Sequence, residues 1–318
     1  MPAAVTRDAA LALLVQERAP EIIEAATEQS VALTTFRRQT IGTNKTKFAF
    51  LDTLPKAQWL TNNADDMQVK PPVGSLSWSP YEIGVEEVAG TAVIAENVLD
   101  DTEYGLWNEV RARVSEAVGQ LIDSTVFFGT SPYGDPVPAT FPTGGIVGRT
   151  VAAGKNVAYD GADFFNSLNA AMAEVEDSGF DPSRGFGPRS IAPLLRNTRD
   201  HNGQFLYATD ARSGQQVNTV WGVPLEFLNR RIWDKSLASL LLGDISTTRI
   251  VMRQDLTVKM LDQATIQGIN LAEQDAIGMR VKMRLGWGIL PNPERFAGDE
   301  ADFPYAIVDP DPANVPAP

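Results

Sequence analysis

The most constraining stretch of this 318-residue chain runs from Thr102 to Phe128. There Trp107, Val110, Val114, Val118, Leu121, Ile122, Thr125 and Phe128 recur at helical spacing along one stripe. Asp100 and Asp101 supply N-cap oxygens, Glu103 suits the positive end of the helix dipole, and Gly129 is a natural stop. At about 1.5 Å per residue such a helix spans roughly 40 Å, well beyond the common length of about three turns. A rod of that length sets the long dimension of the domain that holds it. Its other face, Glu109, Arg111, Arg113, Glu116 and Gln120, reads as a solvated or interfacial surface.

Ahead of this helix the pattern is β. Lys45 to Phe50 alternates, as do Leu76 to Ser79 and Tyr81 to Val85, and the two strand zones flank a polar middle from Thr53 to Ser75. A connection that long inside a compact domain marks a functional or protruding element, here read as an extended β-hairpin-like loop. Charge is segregated across it. Residues 31 to 60 carry a net +4 and residues 61 to 109 a net −9. The candidate contact residues are therefore Arg37, Arg38, Lys45, Lys47, Lys56 and Trp59 on the basic side, with Asp65, Asp66, Glu86 and Glu87 on the acidic side. Complementary blocks suit contacts between copies of a chain, and neutralisation within one hairpin is the competing reading. Upstream, Arg7 to Gln29 reads as two short amphipathic helices interrupted by Pro20.

Beyond the long helix, Pro132, Pro136, Pro138, Pro142, Gly144, Gly145, Gly148 and Gly154 predict a turn-rich excursion. A second helix follows from about Asp163 to Ser178, then a composition break at Asp181 to Pro188 that predicts a domain boundary. The remainder mixes a short helix near Ile191 to Thr198 with β runs at Val223–Leu228, Leu237–Leu242, Arg249–Met252, Leu256–Leu261 and Met279–Leu285, an α+β arrangement. The tail from Asp309 is Pro-rich and reads as extended.

Composition narrows the chemistry. With no cysteine and a single histidine, His201, the chain has no thiolate nucleophile, no disulfide, no cysteine-bearing zinc site and no two-histidine metal motif. His201 sits in a polar turn-like run, Arg199 to Gln204, unsuited to a triad. The carboxylate pairs Asp65–Asp66, Glu86–Glu87 and Asp100–Asp101 are adjacent in sequence, so on a strand they point to opposite faces and at a helix start they are caps. Thr143 to Thr150 matches neither dinucleotide-binding nor P-loop spacing. A formal charge of −13 argues against an extensive phosphate-binding surface, and no long apolar run suggests a membrane span. No catalytic residue, metal ligand or cofactor is expected.

Several blocks carry a family likeness: Pro20-Glu21-Ile22-Ile23-Glu24 with Gln29-Ser30-Val31-Ala32-Leu33, Ala57-Gln58-Trp59-Leu60, and Glu96 to Asp101 before the long helix. Downstream, Arg196 to Leu206, Trp221-Gly222-Val223-Pro224, Gly243-Asp244, and Arg284 to Trp287 ahead of Asn292 to Phe296 continue it. In these blocks and in element order the chain resembles the Hong Kong 97-type major capsid proteins of tailed bacteriophages.

The resemblance implies an N-arm over residues 1–45, an extended E-loop over 46–88, a peripheral P-domain over 89–179 with its spine helix at 102–128, an axial A-domain over 180–265, and a P-domain return with the tail over 266–318. It further implies hexamers and pentamers of one chain closing an icosahedral shell around double-stranded DNA, without sequence-specific binding, in the phage head assembled in the host cytoplasm. Portal, scaffold or decoration proteins are the implied partners, with no membrane. The strand region starts too early for the large scaffolding domain that some members carry at their start. An encapsulin-type nanocompartment shell and a carboxylate-dependent hydrolase are the alternatives.

Overall fold

The computed structural model describes residues 30–51, 78–96, 106–161, 164–197, 219–228, 232–266, 268–290 and 302–312. The expected helices within Arg7 to Gln29, the loop Thr53 to Ser75, the capping residues Asp100, Asp101 and Glu103, His201, and the tail after Pro312 lie outside them.

The helices are α1 (Val31–Thr35), α2 (Leu106–Phe128), α3 (Gly145–Ala152), α4 (Phe164–Asp177) and α5 (Ile191–Asn197). The strands are β1 (Arg37–Thr40), β2 (Lys45–Leu51), β3 (Trp78–Gly84), β4 (Glu86–Ala95), β5 (Asn156–Val157), β6 (Arg184–Pro188), β7 (Thr219–Val220), β8 (Val223–Leu228), β9 (Leu240–Gly243), β10 (Thr248–Leu261), β11 (Thr265–Ile266), β12 (Ile269–Asn270), β13 (Ala276–Ile289) and β14 (Tyr305–Val308). They form a four-stranded sheet in the order β1-β10-β13-β4, a six-stranded sheet in the order β5-β14-β9-β6-β8-β7, and two hairpins, β2-β3 and β11-β12.

The six-stranded sheet separates two cores by strand alternation. Leu240, Leu242, Ala306 and Val308 face α4 and α5, packing with Phe164, Leu168, Val175 and Leu195. Phe186, Leu241, Tyr305 and Ile307 face the other way, onto Val126, Phe127, Ile146 and Val147 of α2 and α3. That second core continues into the four-stranded sheet. Along β13 the residues Met279, Val281, Met283, Leu285, Trp287 and Ile289 all enter it, while Arg280, Lys282, Arg284, Gly286 and Gly288 take the opposite face.

α2 ends where the sequence predicts, because Gly129 turns left-handed at φ 63° and its amide bonds back to Thr125. The burial of α2 differs from a one-sided stripe. From Val118 to Phe128 every residue except the half-buried Leu121 is buried, and Gln120, expected on the solvated face, is buried as well, donating to Glu116 at 2.9 Å. α1 and α3 pack against this end of the helix and close off the side that would otherwise meet water.

α3 corrects the reading of residues 130–160 as turns alone. A Cβ on Gly145 would lie 2.6 Å from Phe127 carbonyl oxygen and 2.5 Å from Gly129 nitrogen, so glycine lets the start of α3 lie backbone to backbone on the end of α2. The composition break at Asp181 to Pro188 carries regular structure. Its second half is β6, an interior strand buried from Gly185 to Pro188. The runs at 249–252 and 256–261 are one strand, β10, whose register against β13 shifts between Met252 and Thr257. β10 belongs to the four-stranded sheet, and β14 to the six-stranded one.

Candidate assembly interface

Six of the ten expected contact residues fall within the described structure. Lys56, Trp59, Asp65 and Asp66 lie outside it.

Lys45 and Lys47 stand on β2, which pairs antiparallel with β3 in unbroken register from Lys45↔Gly84 to Leu51↔Trp78. Alternation sends Phe48, Tyr81 and Ile83 inward, where they pack with Val85, Val251 and Leu290. It sends both lysines outward beside Glu82, with Lys45 Nζ at 2.6 Å and Lys47 Nζ at 3.8 Å from its carboxylate. The hydrogen bond from Lys45 holds the Glu82 carboxyl below its usual range, and the same bond raises the lysine. These are surface pairs that orient the hairpin more than they stabilise it.

The base of the hairpin is pressed onto β13. A Cβ on Gly286 would lie 2.0 Å from Gly84 carbonyl oxygen, and one on Gly288 would lie 3.1 Å from Ile83. Only glycine at 286 lets the two backbones approach this closely. The hairpin is thereby fixed to the sheet at one end, with exposed Trp78 opposite Leu51 at the other.

Glu86 and Glu87 open β4, an edge strand of the four-stranded sheet. Glu86 accepts from Thr140 Oγ1 at 2.7 Å. Glu87 meets Lys282 Nζ at 2.8 Å and Arg284 Nε at 3.5 Å across the ladder, and the Lys282 hydrogen bond is the main cause of its lowered pKa. Of the described acids, Glu82 is thus answered within the chain by the basic block and Glu87 by β13.

Arg37 and Arg38 differ. They lie on β1, the opposite edge of that sheet, with all four strand residues exposed. Arg37 stands in register with Arg249 of β10. Burial and then the Arg37 charge lower the Arg249 pKa. Neither Arg37 nor Arg38 has an acidic partner among the described residues.

One buried polar site was not anticipated. Asp123, fully buried in α2, accepts from Ser30 Oγ at 2.7 Å, from Val31 N at 3.0 Å and from Ala32 N at 2.9 Å, while Ser30 Oγ accepts in turn from Leu33 N at 3.2 Å. A carboxylate from the long helix therefore caps α1 from outside it. Burial pushes the Asp123 carboxyl up to about 6, against the pull of its three donors. The sequence signal was its position. An acid near the C-terminal end of a helix opposes the dipole, so its charge is answered elsewhere.

Among the described residues there is no cluster of three or more acidic or histidine side chains that could hold a metal ion, and no helix is long and apolar enough to cross a membrane.

A family model described as the phage capsid family matches residues 11–297. A solved structure from Microbacterium phage Oxtober96 superposes with a TM-score of 0.80 at 33% identity, covering 97% of this chain and 100% of that one. One from Mycobacterium phage Bobi gives 0.75 at 31% identity, covering 89% of this chain and 90% of that one. The capsid of a native GTA particle shares the fold at 17% identity and a TM-score of 0.61, with 90% of each chain covered. The search of curated proteins finds no match. The expected α+β capsid fold is the observed one, and the chain belongs to the phage capsid family.

Proposed function

We propose that this chain is the major capsid protein that closes, as hexamers and pentamers, into the icosahedral head of a tailed phage around double-stranded DNA. The observation that carries this reading is the match of nearly the whole chain, end to end, with a phage structure. The subunit acts through its surfaces rather than through catalysis. In the family's layout, residues 1–45 are the N-arm, 46–88 the E-loop, 89–179 and 266–318 the P-domain, and 180–265 the A-domain.

Arg37 and Arg38, which have no acid beside them in their own described chain, are the bases available to a neighbour, together with Lys56 and Trp59. Asp65 and Asp66 of a second copy are the complementary acids. Lys45, Lys47, Glu86 and Glu87 shape the hairpin and its support within the subunit. A net charge of −13 supports an inner wall that repels the packaged duplex, so that the genome slides during filling. Assembly takes place in the host cytoplasm, with portal, scaffold or decoration proteins as partners.

Negative-stain microscopy and sedimentation of the purified protein test the reading. Closed particles of megadalton size are expected. A species no larger than a small oligomer at every concentration overturns it.

A further inference from the structure

The turn joining β7 and β8 carries a side chain that its own backbone disfavours. Val220 pairs with Val223, which leaves a two-residue loop of Trp221 and Gly222 with φ at 47° and 84°. A turn with both central residues left-handed favours Asn, Asp or Gly at its first position, and a bulky aromatic there is an outlier. Outliers of this kind persist where something other than folding selects the residue.

Folding does not explain the choice. Trp221 is 52% exposed, and among the described residues its aromatic contact is an edge-on approach to Phe165 of α4, with ring centroids 4.4 Å apart. Val220 and Val223, on either side, already fill the core beneath α4 and α5. The indole projects beyond that core instead of completing it. The sequence around it is also depleted of charge. Residues 213–225 contain no Asp, Glu, Lys or Arg in a chain that is 21% charged. An exposed Trp in a charge-free run of sequence matches the centre of a protein interface, where Trp is enriched, and that run supplies none of the cations that a nucleic-acid surface needs.

We infer that Trp221, presented by the strained β7–β8 turn and supported by Phe165, is a contact that seats on a neighbouring copy of the same chain within the shell. The inference rests on the capsid reading above, which supplies the occupant: in a shell built from one repeated subunit, what is held at fixed geometry against the lateral faces of a copy is other copies. The β7–β8 turn lies at one edge of the six-stranded sheet, and in a ring of five or six copies the contact is head-to-tail, between different patches of the two copies.

The turn chemistry gives a test in which folding and assembly move apart. Trp221→Asn suits the left-handed position better than Trp does, so the dissociated subunit should melt at the same temperature or higher. Its yield of closed particles by sedimentation should fall about tenfold or more, as expected for loss of a buried aromatic contact. Trp221→Phe, which keeps a ring, should recover part of the yield. If Trp221→Asn assembles like wild type, the inference falls while the capsid reading stands. If Trp221→Asn lowers the melting temperature of the subunit, the indole serves its own fold and the inference also falls. If wild-type protein stays monomeric, the capsid reading fails and takes this contact with it.

Discussion

Ser30 donates its hydroxyl to Asp123 at 2.7 Å, across 93 residues of sequence, and so ties the chain entering α1 to the last turns of α2. Two backbone amides, those of Val31 and Ala32, reach the same carboxylate, and no cation among the described residues contributes to holding it. A single buried acid thus sets where the arm-side chain meets the long helix.

Removing that acid should loosen the junction. Asp123→Ala leaves a hydroxyl and two amides buried without an acceptor, a loss on the order of 3 kcal/mol in subunit stability. Asp123→Asn keeps one oxygen and should lose about half as much. Urea unfolding of the dissociated subunit measures both, and equal stability of Asp123→Ala and wild type would refute the capping role.

The same group gives stability a pH dependence of defined sign. Its folded pKa of about 6 lies above the ordinary 3.8, so its contribution is fully present below about pH 4 and is lost as pH rises through 6. Glu82 and Glu87 act oppositely, since their folded pKa values are lowered and their contributions are lost as pH falls. The stability difference between wild type and Asp123→Asn should therefore shrink from pH 4 to pH 7, measured as urea midpoints. A constant difference would mean that Asp123 keeps one protonation state across that range.

Gly286→Ala should displace the hairpin. The new methyl would meet Gly84 carbonyl oxygen, which belongs to backbone and cannot rotate away. Overpacking of this kind costs about 1–3 kcal/mol. Hydrogen exchange should quicken along β2 and β3 and stay unchanged in α4. Uniform exchange across both regions would show that the sheet yields without moving the hairpin.

Reversing the free edge tests the charge argument directly. The double variant Arg37→Glu with Arg38→Glu removes no described intrachain acid pairing, so the melting temperature of the subunit should hold while particle yield drops and its dependence on salt changes. Deleting residues 53–75 should likewise give a soluble subunit that forms no closed shells. Particles of normal yield from either variant would move the assembly contacts elsewhere.

Periodicity made α2, α4, α5, β2 and β8 legible, because each buries a face set by its own side chains. α3 was hidden by Gly144, Gly145 and Gly148, read as breakers, although a close approach to Gly129 is what places glycine at 145. β6 was hidden for a similar reason: Gly185 and Gly187 lie within 3 Å of neighbouring Leu and Ile side chains once a Cβ is added, so small residues there mark tight packing and not a loop. For the interface, charge blocks picked out the basic and acidic residues but could not tell which bases were already matched within the chain. That depended on register, which set Lys45 and Lys47 beside Glu82 and left Arg37 beside Arg249.

β14 lies between β5 and β9, buried along its whole length, although it follows both by many residues in sequence. A ribosome must therefore translate past Val308 before the sheet can close between those two strands. Until then a nascent subunit lacks an interior strand and the side chains of Tyr305 and Ile307 that join its two sheets through one core.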